Sequence, residues 1–187
     1  GHVRIYNYNG TEWTQLGGDI NGETTYDYSG HSVSLSSDGK TVAIGALYNS
    51  GNGVSSGHVR VYNYNDTAWS QFGSDIDGEA ANDYSGQSVS LSSNGKTVAI
   101  GANGNDGNGT DSGHVRIHNY NGTDWIQSGG DINGEAAGDQ SGWSVSLSSD
   151  GTILVIGASL NDGNGLDSGQ VRVYNLAKIN KAPVASD

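Results

Sequence analysis

The sequence has no cysteine and no methionine, a single proline and a single phenylalanine, and eight basic residues against twenty acidic ones. Without cysteine there is neither a disulfide nor a thiolate site, although this leaves the compartment open. No apolar run reaches the ~18 residues of a membrane-spanning helix, and no signal-peptide pattern is visible. A net charge of -12 excludes nucleic acid as a partner, because phosphate binding needs the opposite balance. An acidic surface instead suits solubility and cation binding. With no methionine and a first residue inside a repeat, the chain is expected to be a segment of a longer protein.

Hydrophobic residues make up only 33% of the chain, and with this charge that resembles a disordered composition. Their placement argues for a folded chain. Val3/Ile5, Val33/Leu35 and Val42/Ile44 each alternate with small or polar residues, the pattern of a strand with one face turned inward. Ten tyrosines and four tryptophans supply the buried area that the aliphatics do not. No segment has helical periodicity.

One unit repeats. Gly1-His2-Val3-Arg4-Ile5-Tyr6 returns at Gly57, Gly113 and Gly169, in steps of 56 residues without insertion or deletion. Trp13, Trp69 and Trp125 keep the same phase, as do the turns Asp38-Gly39, Asn94-Gly95 and Asp150-Gly151. Each period holds four strand candidates, in the first copy His2 to Tyr8, Glu12 to Ile20, Ser32 to Ser36 and Thr41 to Ala46. Asn9-Gly10 makes the first hairpin turn. Four strands per period of this length predict the blades of a β-propeller. A β-trefoil does not account for the fourth copy of the first strand, and the coils of a β-solenoid are usually shorter. The expected fold is all-β, with four-stranded antiparallel blades at residues 1–56, 57–112 and 113–168, a partial copy at 169–176, and a linker at 177–187 toward a following module. A propeller closes with about four or more blades, so this chain alone predicts an incomplete one.

Ser85-Gly86-Gln87-Ser88-Val89-Ser90-Leu91, then Val98-Ala99-Ile100-Gly101-Ala102, then Gly113-His114-Val115-Arg116 resembles the FG-GAP repeat, whose best-known bearer is the integrin α-subunit head. The Phe-Gly pair of that family is Ser-Gly in every copy here, and the proline of Gly-Ala-Pro is Leu47, Asn103 or Ser159. The resemblance implies a Ca²⁺ loop between the first two strands of a blade. Only Ser37-Asp38-Gly39-Lys40 and its equivalents stand there, too short to wrap a cation. In the family's strand order the chain reads as two outer strands, two whole blades and three strands of another. Residues 180–187 resemble the entry into cadherin-like modules of large bacterial surface proteins.

Candidate sites fall in the loops. Asn105, Asp106, Asn108 and Asp111 recur as Asn161, Asp162, Asn164 and Asp167, separated by glycines. Side-chain and turn-carbonyl oxygens at this density are what Ca²⁺ takes as ligands; Gly/Asn turns whose side chains bond their own backbone are the alternative. The first copy has Ser50 and Ser55 in place of both aspartates and is expected not to bind. Asp75, Asp77 and Glu79, with Asp83 beyond them, form a second acidic loop, matched at Asp19 to Glu23 and Asp131 to Glu135. Carboxylates at alternate positions can share a cation; the favoured alternative is a strand-ending turn in which Asp27, Asp83 and Asp139 cap the next turn. Asn9, Asn65 and Asn121 sit at the hairpin tips in sequons that matter in a eukaryotic source; Asn108 begins a fourth. Arg4, Arg60, Arg116 and Arg172 are expected to pair with repeated carboxylates, and Trp13, Trp69 and Trp125 to serve blade packing rather than as platforms for sugars, because all copies keep them. One position varies as His31, Gln87 and Trp143, which makes Trp143 the candidate for stacking on a ligand.

No metalloprotease motif, nucleophile elbow or dinucleotide fingerprint is present. The expectation is a non-catalytic binding, adhesion or display module at the cell surface or outside the cell, engaging a protein or glycan through repeated rim loops. A carbohydrate-binding propeller is the alternative, and a component of a surface fibre or matrix a third reading. Self-association, or further blades from the parent chain, would cover the open ends.

Overall fold

Short β-branched runs bounded by glycine turns give a chain of strands. In the computed structural model, described over residues 1–176, every named element is a strand. The expected linker at 177–187 lies outside the described residues. β5 (Ser32–Leu35), β6 (Thr41–Ala46), β7 (His58–Tyr64) and β8 (Trp69–Gln71) form an antiparallel sheet in that order, and β9 (Ile76–Asp77) extends the outer strand along β7. A second blade repeats this with β10 (Ser88–Leu91), β11 (Thr97–Ala102), β12 (His114–Tyr120), β13 (Trp125–Gln127) and β14 (Ile132–Asn133). The register repeats too: Ala43 faces Val61 and Gly45 faces Val59, as Ala99 faces Ile117 and Gly101 faces Val115.

The chain starts and stops within blades. β1 (His2–Val3), β2 (Tyr6–Tyr8), β3 (Trp13–Gln15) and β4 (Ile20–Asn21) are the outer half of one, while β15 (Ser141–Leu147), β16 (Ile153–Ala158) and β17 (Gln170–Asn175) are the inner three strands of another. This is the all-β, β-propeller-type arrangement expected, incomplete within the described residues. No helix among them is long and apolar enough to cross a membrane.

Two strands are more broken than the sequence predicts. The outer strand expected from Glu12 to Ile20 divides into β3 and β4, as in the later copies, because Gly17, Gly73 and Gly129 take left-handed backbone (φ 67, 84 and 78) and interrupt the pairing. The first strand divides into β1 and β2 only at the amino end, where the described residues include no inner strand to pair with it.

The core lies between blades. Val3, Ile5, Ile20, Val42 and Ile44 fill the first junction. Val59, Val61, Val98, Ile100 and Trp125 are in the second, and Val115, Ile117, Leu154 and Ile156 in the third. The inner strands are bonded from blade to blade: Ser32 Oγ donates to Gly86 O at 2.7 Å, and Ser88 Oγ to Gly142 O at 2.8 Å. Leu91 N and Leu147 N donate to Ser34 Oγ and Ser90 Oγ, each at 2.9 Å. The tryptophans latch the outer edge. Trp69 Nε1 donates to Leu16 O at 2.8 Å and Trp125 Nε1 to Phe72 O at 2.6 Å, each indole lying over Gly17 or Gly73 of the blade before it.

Both ends are open. Val59 and Val61 are fully buried, whereas their equivalents Val171 and Val173 are 68% and 66% exposed, no further blade covering them among the described residues. Val33 and Leu35, at the other end, are 53% and 47% exposed.

Candidate functional site

Three features can carry function: the rim loops, a tyrosine-lined cleft beside the first of them, and clusters at the blade junctions in which exposed or half-buried carboxylates surround a buried histidine.

The rim loops connect the second and third strands of each blade and are built alike. Asn49, Asn105 and Asn161 are buried; each Oδ1 accepts from the glycine amide two residues on, at 2.8–3.0 Å. Each Nδ2 donates to Asp27, Asp83 or Asp139 at 3.0, 3.1 and 2.8 Å. Those aspartates also accept from the amides of Thr24, Ala80 and Ala136, so they cap the acidic loop as its spacing indicates. Asp106 Oδ1 accepts from the Asp111 amide at 2.8 Å, and Asp162 Oδ1 from Asp167 at 2.7 Å. Ser50 Oγ makes the same bond to Ser55 at 3.1 Å, so the loop takes its shape with or without the aspartates. Asn108 Nδ2 donates to Gly134 O and Glu135 O, both at 2.9 Å, tying the loop to its neighbour. Asn164 and the four aspartates remain exposed.

Asn9, Asn65 and Asn121 are exposed at their hairpin tips, where each Oδ1 accepts two backbone amides at 2.9–3.1 Å. Trp143 is 47% exposed beside a cavity of about 360 Å³ on the open carboxyl-terminal face, with Gly157, Ser168 and Val171 among its walls.

The cleft was not legible from the motifs. Tyr26, Tyr28 and Tyr48 line a cavity of about 350 Å³ together with Thr24, Thr25 and Ser50. The rings of Tyr28 and Tyr48 meet edge-on at 5.0 Å, and Tyr84 extends the row at 5.7 Å from Tyr48. Tyr26 is 79% exposed and, like Tyr28, has left-handed backbone (φ 70 and 56). Asn82 and Gly138, residues at ease in that conformation, occupy Tyr26's place in the other copies. A comparison of the copies, position by position, would have found this aromatic enrichment.

The junction clusters join the second acidic loop to histidines that the sequence does not place beside it. Glu23, His58 and Asp75 converge at one junction, and Glu79, His114 and Asp131 at the next, with one ligand atom of each within 4.8 Å of the others. The glutamate comes from one blade, the histidine and aspartate from the following one. Arg60, Arg116 and Arg172 pair with Glu23, Glu79 and Glu135 at 3.4, 3.5 and 3.2 Å, the pairing with repeated carboxylates expected of them. Arg4 pairs with Asp19, whose carboxyl it holds down to about 2. Burial, reinforced by Arg116, pushes His114 and His118 down to about 4, so both imidazoles are neutral near pH 7. Burial also raises Glu79.

The fold and its junctions define a blade-repeat protein of the β-propeller class. The family model described as FG-GAP repeat matches residues 72–117 and 133–174. The match falls on the segments whose residues resemble that repeat. No curated protein matches the chain. Among solved structures it is similar to the hydrazine synthase of Kuenenia stuttgartiensis, at 15% identity and a TM-score of 0.59 over 95% of this chain and 40% of that one. It is also similar to a periplasmic gluconolactonase of Pseudomonas aeruginosa, at 16% identity and a TM-score of 0.56 over 92% and 45%. Identities this low carry the fold alone, and the chain spans less than half the length of either protein.

Proposed function

We propose that this chain is a non-catalytic binding or display module of an extracellular or cell-surface protein, acting through its repeated rim loops. The observation that supports this is the repetition of one loop three times with the same internal hydrogen bonds. Equivalent sites on one rigid edge let weak contacts add through effective concentration. FG-GAP repeats typically occur in extracellular or surface proteins, which fits the reading.

The tyrosine cleft favours glycan as the ligand. Aromatic faces stack on the apolar faces of sugar rings, and the hydroxyls of Thr24, Thr25 and Ser50 stand beside them in a concavity of the size small ligands occupy. This copy is also the one in which the rim-loop aspartates are serines. Binding of the purified chain to an array of neutral oligosaccharides and extracellular-matrix proteins tests the reading. The expected result is retention of a neutral oligosaccharide, weakened at least about tenfold when Tyr26 and Tyr48 become alanine, as loss of a ring contact worth about 1.4 kcal/mol gives. A folded chain that retains nothing on the array removes the binding function. Retention of a matrix protein with both tyrosines dispensable leaves binding and removes the sugar.

Ca²⁺ at Asp106/Asp111 and Asp162/Asp167, and association through the open faces bearing Val33/Leu35 and Val171/Val173, complete the proposal; association is also what a fibre or matrix component requires. Light scattering over a concentration series, with matched melting curves in Ca²⁺ and in EGTA, tests both. The mass is expected to rise with concentration, and EGTA to lower the melting temperature unless Asp106→Asn and Asp162→Asn are present. A monomer throughout removes the second copy as the cover. Superimposable melting curves leave the loops to turn chemistry alone.

A further inference from the structure

We infer that each complete blade junction is a transition-metal site of the imidazole–carboxylate kind, taking Zn²⁺ through Glu23, His58 and Asp75 at one junction and Glu79, His114 and Asp131 at the next. It stands apart from the proposed binding function, since no ligand comes from a rim loop.

The carboxylates are arranged as metal ligands are. Gln71 Nε2 holds Asp75 Oδ1 at 2.6 Å, and Gln127 Nε2 holds Asp131 Oδ1 at 2.8 Å. The arginines engage Oε1 of the glutamates, and each is fixed in turn by a backbone carbonyl, Arg60 by Asn21 O at 2.9 Å and Arg116 by Asp77 O at 2.6 Å. One oxygen of each carboxylate is therefore held by an outer partner. The other oxygens turn to the imidazole: His58 Nδ1 is 3.8 Å from Glu23 Oε2 and 3.9 Å from Asp75 Oδ2, and His114 Nδ1 is 3.8 Å from Glu79 Oε2. Outer partners that orient ligands in this way are half of a metal site's design.

The histidine supplies the independent sign. His114 is 1% exposed, and its Nδ1 is buried without a hydrogen-bond partner. A buried polar atom left unpaired is costly and calls for an explanation. An imidazole nitrogen that faces the free Oε2 of Glu79, with a ligand atom of Asp131 within 4.8 Å, is explained by a divalent cation between them. Ligand atoms around zinc lie about 3.4 Å apart at its usual bond lengths, so a modest closure is needed. The glutamate side chains, 41% and 40% exposed, can provide it. At the first junction His58 opens onto a cavity of about 390 Å³ that gives an ion a way in. One imidazole with two carboxylates suits Zn²⁺ better than Ca²⁺, which takes oxygen ligands alone.

The third copy separates this site from ordinary ion pairing. Gln170 replaces the histidine there, yet Arg172 and Glu135 still pair at 3.2 Å. The arginine–glutamate pair does not need the histidine, so the histidine has a separate task at the two junctions that possess it.

Calorimetric titration of the metal-stripped chain with ZnCl₂ tests this. Two Zn²⁺ per chain are expected, one in His58→Gln, one in His114→Gln and none in the double variant. Glutamine is the residue the third copy already carries, and circular dichroism verifies that the variants fold. Co²⁺ added to the wild type is expected to give a visible absorption band of nitrogen–oxygen coordination, a readout that needs no variant. No Zn²⁺ binding by the wild type up to millimolar concentration overturns the inference, as does a double variant that binds like the wild type. A stoichiometry lowered by Asp106→Asn with Asp162→Asn overturns it as well, because it places the ion in the rim loops.

Discussion

Replacing Trp125 by alanine is expected to destabilise the chain by about 3–5 kcal/mol, the usual cost of deleting a buried large aromatic. Trp69→Ala should cost roughly half of that, and Trp13→Ala stay within about 0.5 kcal/mol, as at an ordinary surface position. The three occupy one position of the repeat, so neither propensity nor turn chemistry separates them. What differs is the blade before each. Trp125 is 7% exposed, donates its indole N–H to Phe72 O, and lies against the rings of Phe72 and Tyr120. Trp69 is half-buried over Gly17, with the same bond to Leu16 O. Trp13 has no blade before it among the described residues and is 68% exposed, with the ring of Tyr8 at 5.2 Å. Urea unfolding followed by circular dichroism, with the m-value compared among variants, measures all three. Equal losses would mean that the tryptophans act within their own blades and not between them.

That contrast marks what could be read without coordinates. The strands, their turns and the 56-residue step were legible because alternation and glycine punctuation are local. So was the bonding of Asp27 and its equivalents, which stays within one loop apart from the asparagine of the next. Burial was not legible at the ends. Val173 and Val61 stand in like sequence surroundings, but one faces solvent and the other a blade. The junction clusters were hidden for a related reason. Glu23 and His58 belong to different blades, so inspecting the copies one at a time never sets them side by side, and the period that reveals the fold conceals this contact. The tyrosine cleft needed the converse comparison, in which the departures of one copy from the others are the signal.

The largest effect is expected at Gly113, where alanine should cost at least about 4 kcal/mol, beyond what single substitutions usually do. Two penalties combine there. The backbone is left-handed, with φ 71, which costs a residue bearing a Cβ about 1–2 kcal/mol. The added carbon would also fall on the backbone of the next blade, against Ser141 O and within 2.6 Å of Ser141 N. Gly113 and Ser141 are paired by a β-bridge, so the clash cannot be relieved by turning a side chain; the blades themselves must separate. Gly169 holds the same position one repeat later, with φ 74, but its nearest neighbour would be Ser159 O at 3.2 Å, since the described residues place no further blade there. Gly169→Ala should therefore retain only the backbone penalty of about 1–2 kcal/mol. The pair divides conformational strain from blade-to-blade contact using one substitution at one repeat position. Chemical denaturation of the two variants beside the wild type gives the division directly. Should Gly113→Ala be no more costly than Gly169→Ala, the close approach of Gly113 to Ser141 does not hold these blades together.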